Sequence, residues 1–154
     1  MFEVNEIGFL RDRFVRKEAL KMLIIGPLFS IIYLTLSYIS MTKWATFFYA
    51  ASPLLLFIII FLFIIAPIKM LKRHNRTIKR IKFEEEFIII DVFSALWMKS
   101  KEYKFNRNTL KVRDSKFHWY GKQIKEGLIL KDKDEYYLVL EYFTESEDIK
   151  KQLI

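Results

Sequence analysis

Two long stretches without charge constrain the fold of this chain more than any other feature. No Asp, Glu, Lys, Arg or His occurs in the 21 residues between Lys21 and Lys43, or in the 25 residues between Lys43 and Lys69. Because an α-helix rises about 1.5 Å per residue, roughly 20 apolar residues cross the ~30 Å hydrocarbon core of a bilayer. The pattern therefore predicts a hairpin of two transmembrane helices, about 22–41 and 44–68, rather than two buried helices of a soluble core.

The first apolar stretch does not have the pattern of a cleaved signal peptide. A segment of mixed charge precedes it, it is longer than a typical signal-peptide core, and no small-x-small cleavage site follows it. The chain also contains no cysteine, which excludes disulfides and cysteine metal sites.

The distribution of basic residues predicts the orientation of the hairpin. Residues 1–21 contain five Lys/Arg, the connecting loop contains only Lys43, and residues 69–82 contain seven Lys/Arg and no acid. Because Lys and Arg near the ends of spans stay in the cytoplasm, we expect both termini to be cytoplasmic and the loop near 40–45 to face outward. The abundance of Lys, Ile and Phe is typical of an AT-rich bacterial genome, so we expect the bacterial cytoplasmic (inner) membrane.

The residues before the first span have the pattern of an amphipathic helix. Ile7, Leu10 and Phe14 share one helical face, whereas charged residues occupy the others. Such a helix can lie in the headgroup plane, or it can extend the first span into the cytosol. The sequence does not decide between these two placements.

From about residue 77 the pattern changes to short β-rich runs separated by polar breaks. A hairpin turn is expected at Asp114-Ser115, and another at residues 132–135. Thr144, with Glu147 three residues later, predicts a capping box that starts a C-terminal helix. The candidate strands are Ile78–Phe83, Phe87–Phe93, Leu96–Phe105, Thr109–Arg113, Lys116–Tyr120, Gly127–Lys131 and Tyr136–Tyr142.

These elements predict a membrane protein of the α+β class. A cytosolic amphipathic lead-in helix (1–21) precedes the transmembrane hairpin (22–68), and a basic juxtamembrane connector (69–82) follows it. Residues 83–154 are expected to form a small cytosolic antiparallel β domain of six or seven strands, closed by a C-terminal helix.

The stretch from Glu135 to Leu153 runs from a last strand through aromatic residues into an acidic-capped helix. It resembles the end of the YcxB-like group of bacterial pleckstrin-homology-like domain proteins, which place such a domain behind a transmembrane hairpin. The resemblance covers about residues 20–154 in layout and this stretch in detail. It implies a pleckstrin-homology-like (PH-like) barrel or sandwich and a binding module without a known reaction.

No residue pattern indicates a reaction or a cofactor. His74 and His118 are interpreted as solvated polar residues rather than catalytic bases. The run Glu84–Glu86 is interpreted as a solvated turn, because consecutive carboxylates on a strand alternate faces and cannot all converge on a metal. The four glycines are scattered, so no phosphate-cradling loop is present. We therefore expect no catalytic residue, no metal site and no cofactor.

The basic connector is the first candidate binding site. Its cations could contact anionic lipid, and several would share one helical face if the helix of the second span continued. The alternative is a topology signal with no role after insertion. The connector cations are Lys69, Lys72, Arg73, Arg76, Lys79, Arg80 and Lys82.

A second candidate lies within the β domain. Residues 99–125 contain nine Lys/Arg against two acids, interleaved with aromatic residues, whereas 83–98 and 126–154 each have a net charge of −4. This strip could bind anionic headgroups or an acidic partner, or stack on single-stranded nucleic acid. Alternatively, its charges pair across the sheet. The residues proposed for partner binding are Lys111, Arg113, Lys116, His118 and Tyr120.

The sequence favours a non-enzymatic, membrane-anchored binding module that presents its β domain to a protein or lipid partner at the inner membrane face. Nucleic acid is not expected as the partner, because the basic surplus lies in the connector rather than on the folded domain. Two other functions remain open. One is an immunity protein that neutralises a cognate antibacterial toxin at the membrane, and the other is an accessory subunit of a larger membrane complex.

Overall fold

The fold is described from a computed structural model of the chain. It covers residues 1–39, 45–118 and 124–154, without the side chains at 37, 38, 45–51, 117, 118 and 124. Most of the expected outer loop at 40–45 therefore lies outside the described residues. The chain divides into two compact units, one made of residues 1–16 with 71–154 and the other of residues 17–70.

The elements are described in chain order. Strand β1 and helix α1 open the chain, and two more helices, α2 and α3, flank a π-helical turn. Six further strands and helix α4 follow. Their bounds are β1 Phe2–Glu3, α1 Glu6–Ile39, α2 Ala45–Ile60, the π-helix Phe61–Ile65, α3 Ala66–His74, β2 Ile78–Phe83, β3 Phe87–Val92, β4 Glu102–Asn106, β5 Lys111–His118, β6 Ile124–Lys131, β7 Glu135–Val139, a 3-10 turn Leu140–Tyr142 and α4 Ser146–Leu153.

Two of the described helical segments are long and apolar enough to cross a membrane, Glu6–Leu36 and Ser52–His74. Only 11% of the most apolar window in each is buried, which differs from the mostly buried core helix of a soluble protein. Within this helical unit, a Cβ added to Gly26 would overlap the Cβ of Phe63. The two apolar segments therefore approach closely where Gly26 has no side chain.

The π-helical turn was not expected from the sequence. Residues flanking it keep helical backbone angles, with φ −60° and ψ −44° at Ile60 and φ −63° and ψ −49° at Ala66. The helix thus continues from α2 through the turn into α3, with Pro53 inside α2. Such π-turns insert a local bulge into an otherwise regular helix.

The β unit contains two antiparallel sheets, ordered β1-β2-β3-β4 and β5-β6-β7. Strand β3 shows why its sequence forms a strand, because Ile88, Ile90 and Val92 alternate with less buried residues and point into the core. Helix α4 contributes Ile149 to the same core. The antiparallel β region with a C-terminal helix agrees with the coarse architecture expected from the sequence.

The N-terminal segment belongs to the β unit. Phe2 pairs with Ile81 of β2, Val4 forms a bridge with Phe143, and Val4 is part of the buried core. The sequence assigned this segment to a separate lead-in helix, because a two-residue strand is too short to produce a detectable pattern. The β unit therefore includes residues on both sides of the apolar segment in sequence.

Helix α1 begins with a cap from Asn5. Its Oδ1 accepts a hydrogen bond from the Gly8 N–H at 3.2 Å, and its Nδ2 donates to the Glu141 carbonyl at 3.1 Å. The missing side chain of Gly8 leaves room for Val4 and Tyr142, since an added Cβ would come within 2.9 Å of the Val4 Cβ. The first turn of α1 is thereby attached to the β unit.

The apolar face predicted for this helix is on its exposed side. Ile7, Leu10 and Phe14 are 48%, 58% and 46% exposed, whereas Asp12 and Val15 are buried. The sequence offered two placements for this helix, in the headgroup plane or as a cytosolic extension of the first span. Neither of them included packing against the β unit. The buried face was not recognisable because it contains a carboxylate rather than an apolar stripe.

Three expectations for the strands were wrong. Asp114 and Ser115 do not form a turn, since they pair with Leu128 and Gly127 inside the continuous strand β5. Strand β4 starts at Glu102 rather than Leu96. Strand β7 ends at Val139, and a 3-10 turn follows that contains the buried Tyr142. Tertiary pairing and burial thus override the local turn and strand propensities.

The expected capping box was also wrong. Helix α4 starts at Ser146, and the residue before it, Glu145, makes no side-chain cap hydrogen bond. Two expectations were confirmed, namely the bounds Ile78–Phe83 of β2 and a hairpin connection in the polar run after Lys131. This connection is residues 132–134, because Glu135 already belongs to β7.

Candidate functional site

The fold divides the basic connector between two elements. Helix α3 ends at His74 and strand β2 begins at Ile78. Three connector cations, Lys69, Lys72 and Arg73, are spaced i, i+3 and i+4 on α3 and share one helical face, as expected for a continuing helix. The other four lie in the following turn and on β2, so the seven cations do not form a single helical face. Lys69 lies in the helical unit, and the other connector cations lie in the β unit.

The cations on β2 are engaged by their neighbours. Arg80 pairs with Glu3 at 2.5 Å and with Asp91 at 3.3 Å. Lys82 pairs with Glu84 at 2.8 Å, and hydrogen bonding to this carboxylate raises the pKa of Lys82. The Lys79 ammonium lies 5.8 Å from the centre of the Phe9 ring. Part of the predicted lipid-contact set therefore stabilises the β unit.

Three connector cations line a groove of the β unit, which we name the Lys72 groove. Lys72 and Arg73 come from the last turn of α3, and Arg76 comes from the turn that follows. The groove has a volume of about 730 Å³. Its other lining residues are Asn75, Met98, Tyr103, Asp134, Tyr136 and Tyr137.

The charge of the Lys72 groove is net positive, with three cations and one carboxylate. Arg76 pairs with that carboxylate, Asp134, at 2.7 Å. Arg73 lies over the Tyr137 ring, 5.0 Å from its centre. Lys72 is exposed and makes no ion pair with any residue that the structure describes. The groove therefore presents at least one cation that is available to a ligand.

Tyrosines form one wall of the groove. The ring centres of Tyr103 and Tyr136 are 4.8 Å apart. Burial and the neighbouring Tyr103 raise the pKa of Tyr136 well above its ordinary value. Its hydroxyl therefore stays protonated at physiological pH and can donate a hydrogen bond.

Hydrogen bonds to main-chain carbonyls hold the turn between α3 and β2, which contributes residues to the groove. Asn75 Nδ2 donates to the carbonyls of Phe93 at 2.6 Å and Lys99 at 3.2 Å. The Tyr137 N–H donates to the Arg76 carbonyl at 2.9 Å, which links the α3–β2 turn to β7. The cations and tyrosines are consequently held on parts of one compact unit.

His74 lies beneath this region and is buried rather than solvated, so the sequence interpretation was wrong. It is 1% exposed, its ring stacks on Phe93 with centres 4.9 Å apart, and its Nε2 lies 2.7 Å from Asp12 Oδ1. Arg16 donates two hydrogen bonds to Asp12, at 2.8 and 2.7 Å. This cluster attaches helix α1 to the end of α3.

The electrostatics of Asp12 follow from this geometry. Burial raises the pKa of its carboxyl, but the hydrogen bonds and positive charges of His74 and Arg16 outweigh burial and lower it below the ordinary 3.8. Asp12 is therefore ionised in the folded protein. Sequence reasoning missed the cluster because Asp12 and His74 are distant in sequence and match no short motif.

The second predicted site is not assembled on one face. Since β5 is continuous, Lys111 and Arg113 lie on one face of the strand and Lys116 on the other. Arg113 pairs with Glu135 at 3.5 Å and Lys116 with Glu126 at 3.2 Å, which agrees with the alternative of cross-strand charge pairing. The His118 side chain and all of Tyr120 lie outside the described residues.

Glu84 is paired with Lys82 and lies 3.9 Å from the Lys104 ammonium. In the described ranges 1–39, 45–118 and 124–154, no group of three His, Cys, Asp or Glu side chains could hold a metal ion. Comparison of the chain with protein-family models, curated proteins and solved structures found no match.

Proposed function

We propose that this protein is a non-enzymatic binding module of the bacterial cytoplasmic membrane. Residues 22–41 and 44–68 form a transmembrane hairpin, and both termini are cytoplasmic. The β unit is PH-like, as the resemblance to YcxB-like proteins implies, and it binds a lipid or protein partner at the inner membrane face.

The observation that carries this proposal is the composition of the β unit. Residues 1–16 and 71–154 form one compact unit, although the whole apolar segment lies between them in sequence. Both ends of that segment must therefore be on the same side of any bilayer it enters. This requirement supports an even number of crossings, and the two apolar helices supply two.

Basic residues support the cytoplasmic side for the β unit. The flanks of the apolar segment contain most of the nearby Lys and Arg, whereas the connecting loop contains only Lys43. The exposed Ile7, Leu10 and Phe14 also support membrane contact, because this apolar face of α1 would otherwise meet water.

The two antiparallel sheets and the C-terminal helix support the PH-like part of the proposal. The chemistry of the Lys72 groove supports binding rather than catalysis. It offers cations and neutral phenols, which recognise anions, and its one carboxylate is paired with Arg76.

Single-cysteine labelling tests the topology directly, because the natural chain contains no cysteine. Arg13→Cys and Glu147→Cys are exposed positions at the two ends of the β unit, and Thr42→Cys lies in the expected outer loop. On intact cells an impermeant maleimide should label only Thr42→Cys, and after permeabilisation it should label all three.

Two results would contradict the proposal. Labelling of Arg13→Cys without Glu147→Cys on intact cells would mean one crossing and would exclude the hairpin. Recovery of the untagged protein in the soluble fraction after alkaline carbonate extraction would exclude membrane anchoring. A lack of binding by the β unit would leave the topology intact, so anchoring and binding are tested separately.

A further inference from the structure

An exposed apolar turn lies beside the Lys72 groove. Ala95 and Met98 exchange two main-chain hydrogen bonds of 2.8 Å, and between them Leu96 adopts a left-handed conformation with φ 49°. This conformation is unfavourable for a non-glycine residue. Trp97, the next residue, is 63% exposed, while Met98 lines the groove. The turn therefore holds a large aromatic side chain in solvent at the edge of a basic groove.

We propose that the Lys72 groove binds the phosphate of an anionic phospholipid headgroup, with Leu96 and Trp97 anchored in the adjacent interfacial layer. This proposal rests on the proposed membrane anchoring and names the ligand class of the β unit.

The donors of the groove fit a phosphate group. Lys72 and the two guanidinium groups provide charged donors, and the tyrosine hydroxyls provide neutral ones. Carbonyl groups without a hydrogen-bond partner at the C-terminal end of a helix would repel an anion. At the end of α3, the carbonyls of Leu71, Arg73 and His74 each accept a main-chain hydrogen bond of 2.9–3.1 Å. The end of α3 is therefore compatible with a bound anion.

Two observations favour a lipid over a soluble phosphate. Trp residues prefer the membrane interface, where the ring is partly in apolar surroundings and the indole N–H is hydrated. In sequence, Lys72 and Arg73 follow the end of the second expected span, at Ile68, by only a few residues. The groove volume of about 730 Å³ is also in the range of small-ligand sites.

Asp134 competes with the ligand in this arrangement. Its carboxylate pairs with Arg76 at 2.7 Å, and both side chains are about half exposed. Removing this charge should release Arg76 and make the groove more positive. The Asp134→Asn variant is therefore expected to bind anionic lipid several-fold more tightly.

The test uses the full-length protein in a neutral detergent, with bound lipid quantified by native mass spectrometry. The probes are phosphatidylglycerol, phosphatidylcholine and inorganic phosphate. We expect phosphatidylglycerol to bind at least tenfold more tightly than phosphatidylcholine. Lys72→Gln/Arg73→Gln should remove this preference, and Lys72→Gln alone, at an exposed and unpaired position in the described chain, should weaken binding about threefold.

A matched control removes the same charge elsewhere. Lys151 is exposed and forms no ion pair with a described residue, so Lys151→Gln, the control for Lys72→Gln, should keep the wild-type preference. Trp97→Ala should weaken lipid binding without changing the thermal midpoint. Equal losses for Lys72→Gln and Lys151→Gln would overturn the groove as a site, because the attraction of the lipid would then depend only on the overall charge of the protein.

Competition with inorganic phosphate tests whether the groove binds a phospholipid headgroup or a soluble phosphate. Complete displacement of phosphatidylglycerol by millimolar phosphate, with no effect of Trp97→Ala, would overturn the lipid assignment in favour of a soluble phosphate. None of these outcomes alters the cysteine-labelling pattern, so failure of this inference is distinguishable from failure of the proposed function.

Discussion

The imidazole of His74 and the carboxylate of Asp12 are 2.7 Å apart, although 62 positions separate them in the chain. The carboxylate lies between this ring and the Arg16 guanidinium and is in hydrogen-bond contact with both groups. The contact joins the start of α1 to the end of α3 within one compact unit. Its loss is therefore expected to loosen the attachment of α1 to the β unit.

Replacing Asp12 with Asn should destabilise the β unit. The amide cannot provide two charged acceptors, and leaving buried polar groups poorly satisfied costs about 1–3 kcal/mol. Thermal unfolding of the full-length protein in detergent should show a lower midpoint for Asp12→Asn. Asp132→Asn, at an exposed turn position, is the control and should leave the midpoint unchanged. An unchanged midpoint for both variants would show that the cluster contributes little.

The contribution of Asp12 should depend on pH. Since the folded protein lowers the pKa of Asp12 below 3.8, its stabilising effect is complete above 3.8 and is lost as the pH falls through the folded pKa. The difference in midpoint between wild type and Asp12→Asn should therefore be smaller at about pH 3 than at about pH 5. A difference that grows on acidification would have the wrong sign for this mechanism.

The N-cap that Asn5 provides to α1 should stabilise the folded protein. Asn5→Ala removes the acceptor for the Gly8 N–H and the donor to Glu141, and loss of an N-cap costs about 1 kcal/mol. Asn5→Ser keeps the capping acceptor and should recover most of the loss. Thermal midpoints of the three proteins give the comparison, and equal values for Ala and Ser would mean that the cap itself is unimportant.

Gly26 should tolerate no side chain. A Cβ at this position would overlap the Phe63 Cβ, so Gly26→Leu must force the two apolar segments apart. We expect helix unfolding at a lower fraction of sodium dodecyl sulfate, measured by circular dichroism. Ile25→Leu, at the exposed neighbouring position, should match the wild type. A wild-type response of Gly26→Leu would contradict the close approach.

The exposed face of α1 should contact lipid if the proposed function is correct. A fluorophore on Leu10→Cys should be quenched by brominated lipids in bilayers more strongly than the same fluorophore on Arg13→Cys, which is also exposed. The apolar environment of Leu10, with Ile7 and Phe14 beside it, is the reason for this difference. Equal quenching at the two positions would place this helix face in water.

Features with a local and periodic signal could be predicted from the sequence. The charge-free stretches indicated the apolar helices, and the short β-rich run Ile78–Phe83 matched β2, because both signals depend on neighbouring residues. The turn in the polar run after Lys131 was predictable for the same reason. By contrast, Asp114 and Ser115 have turn propensity but lie in β5, where pairing with β6 overrides it.

The site was only partly predictable. Composition identified Lys72, Arg73 and Arg76 as part of a basic cluster, but only the fold places these three in a groove and Arg80 and Lys82 outside it, on β2. The tyrosines of the groove come from distant strands and share no spacing with these cations. Contacts between residues far apart in the chain, such as Asp12 with His74, leave no trace in local pattern.

The pairing of β1 with β2 has a consequence for how the chain is made. Residues 2–3 are synthesised before the apolar segment, but their partner strand β2 is synthesised only after it. In the proposed topology, the β unit thus cannot be completed until both helices have been synthesised and delivered to the bilayer. If only one helix entered it, β1 and β2 would be stranded on opposite faces, so a finished β unit reports that insertion was correct.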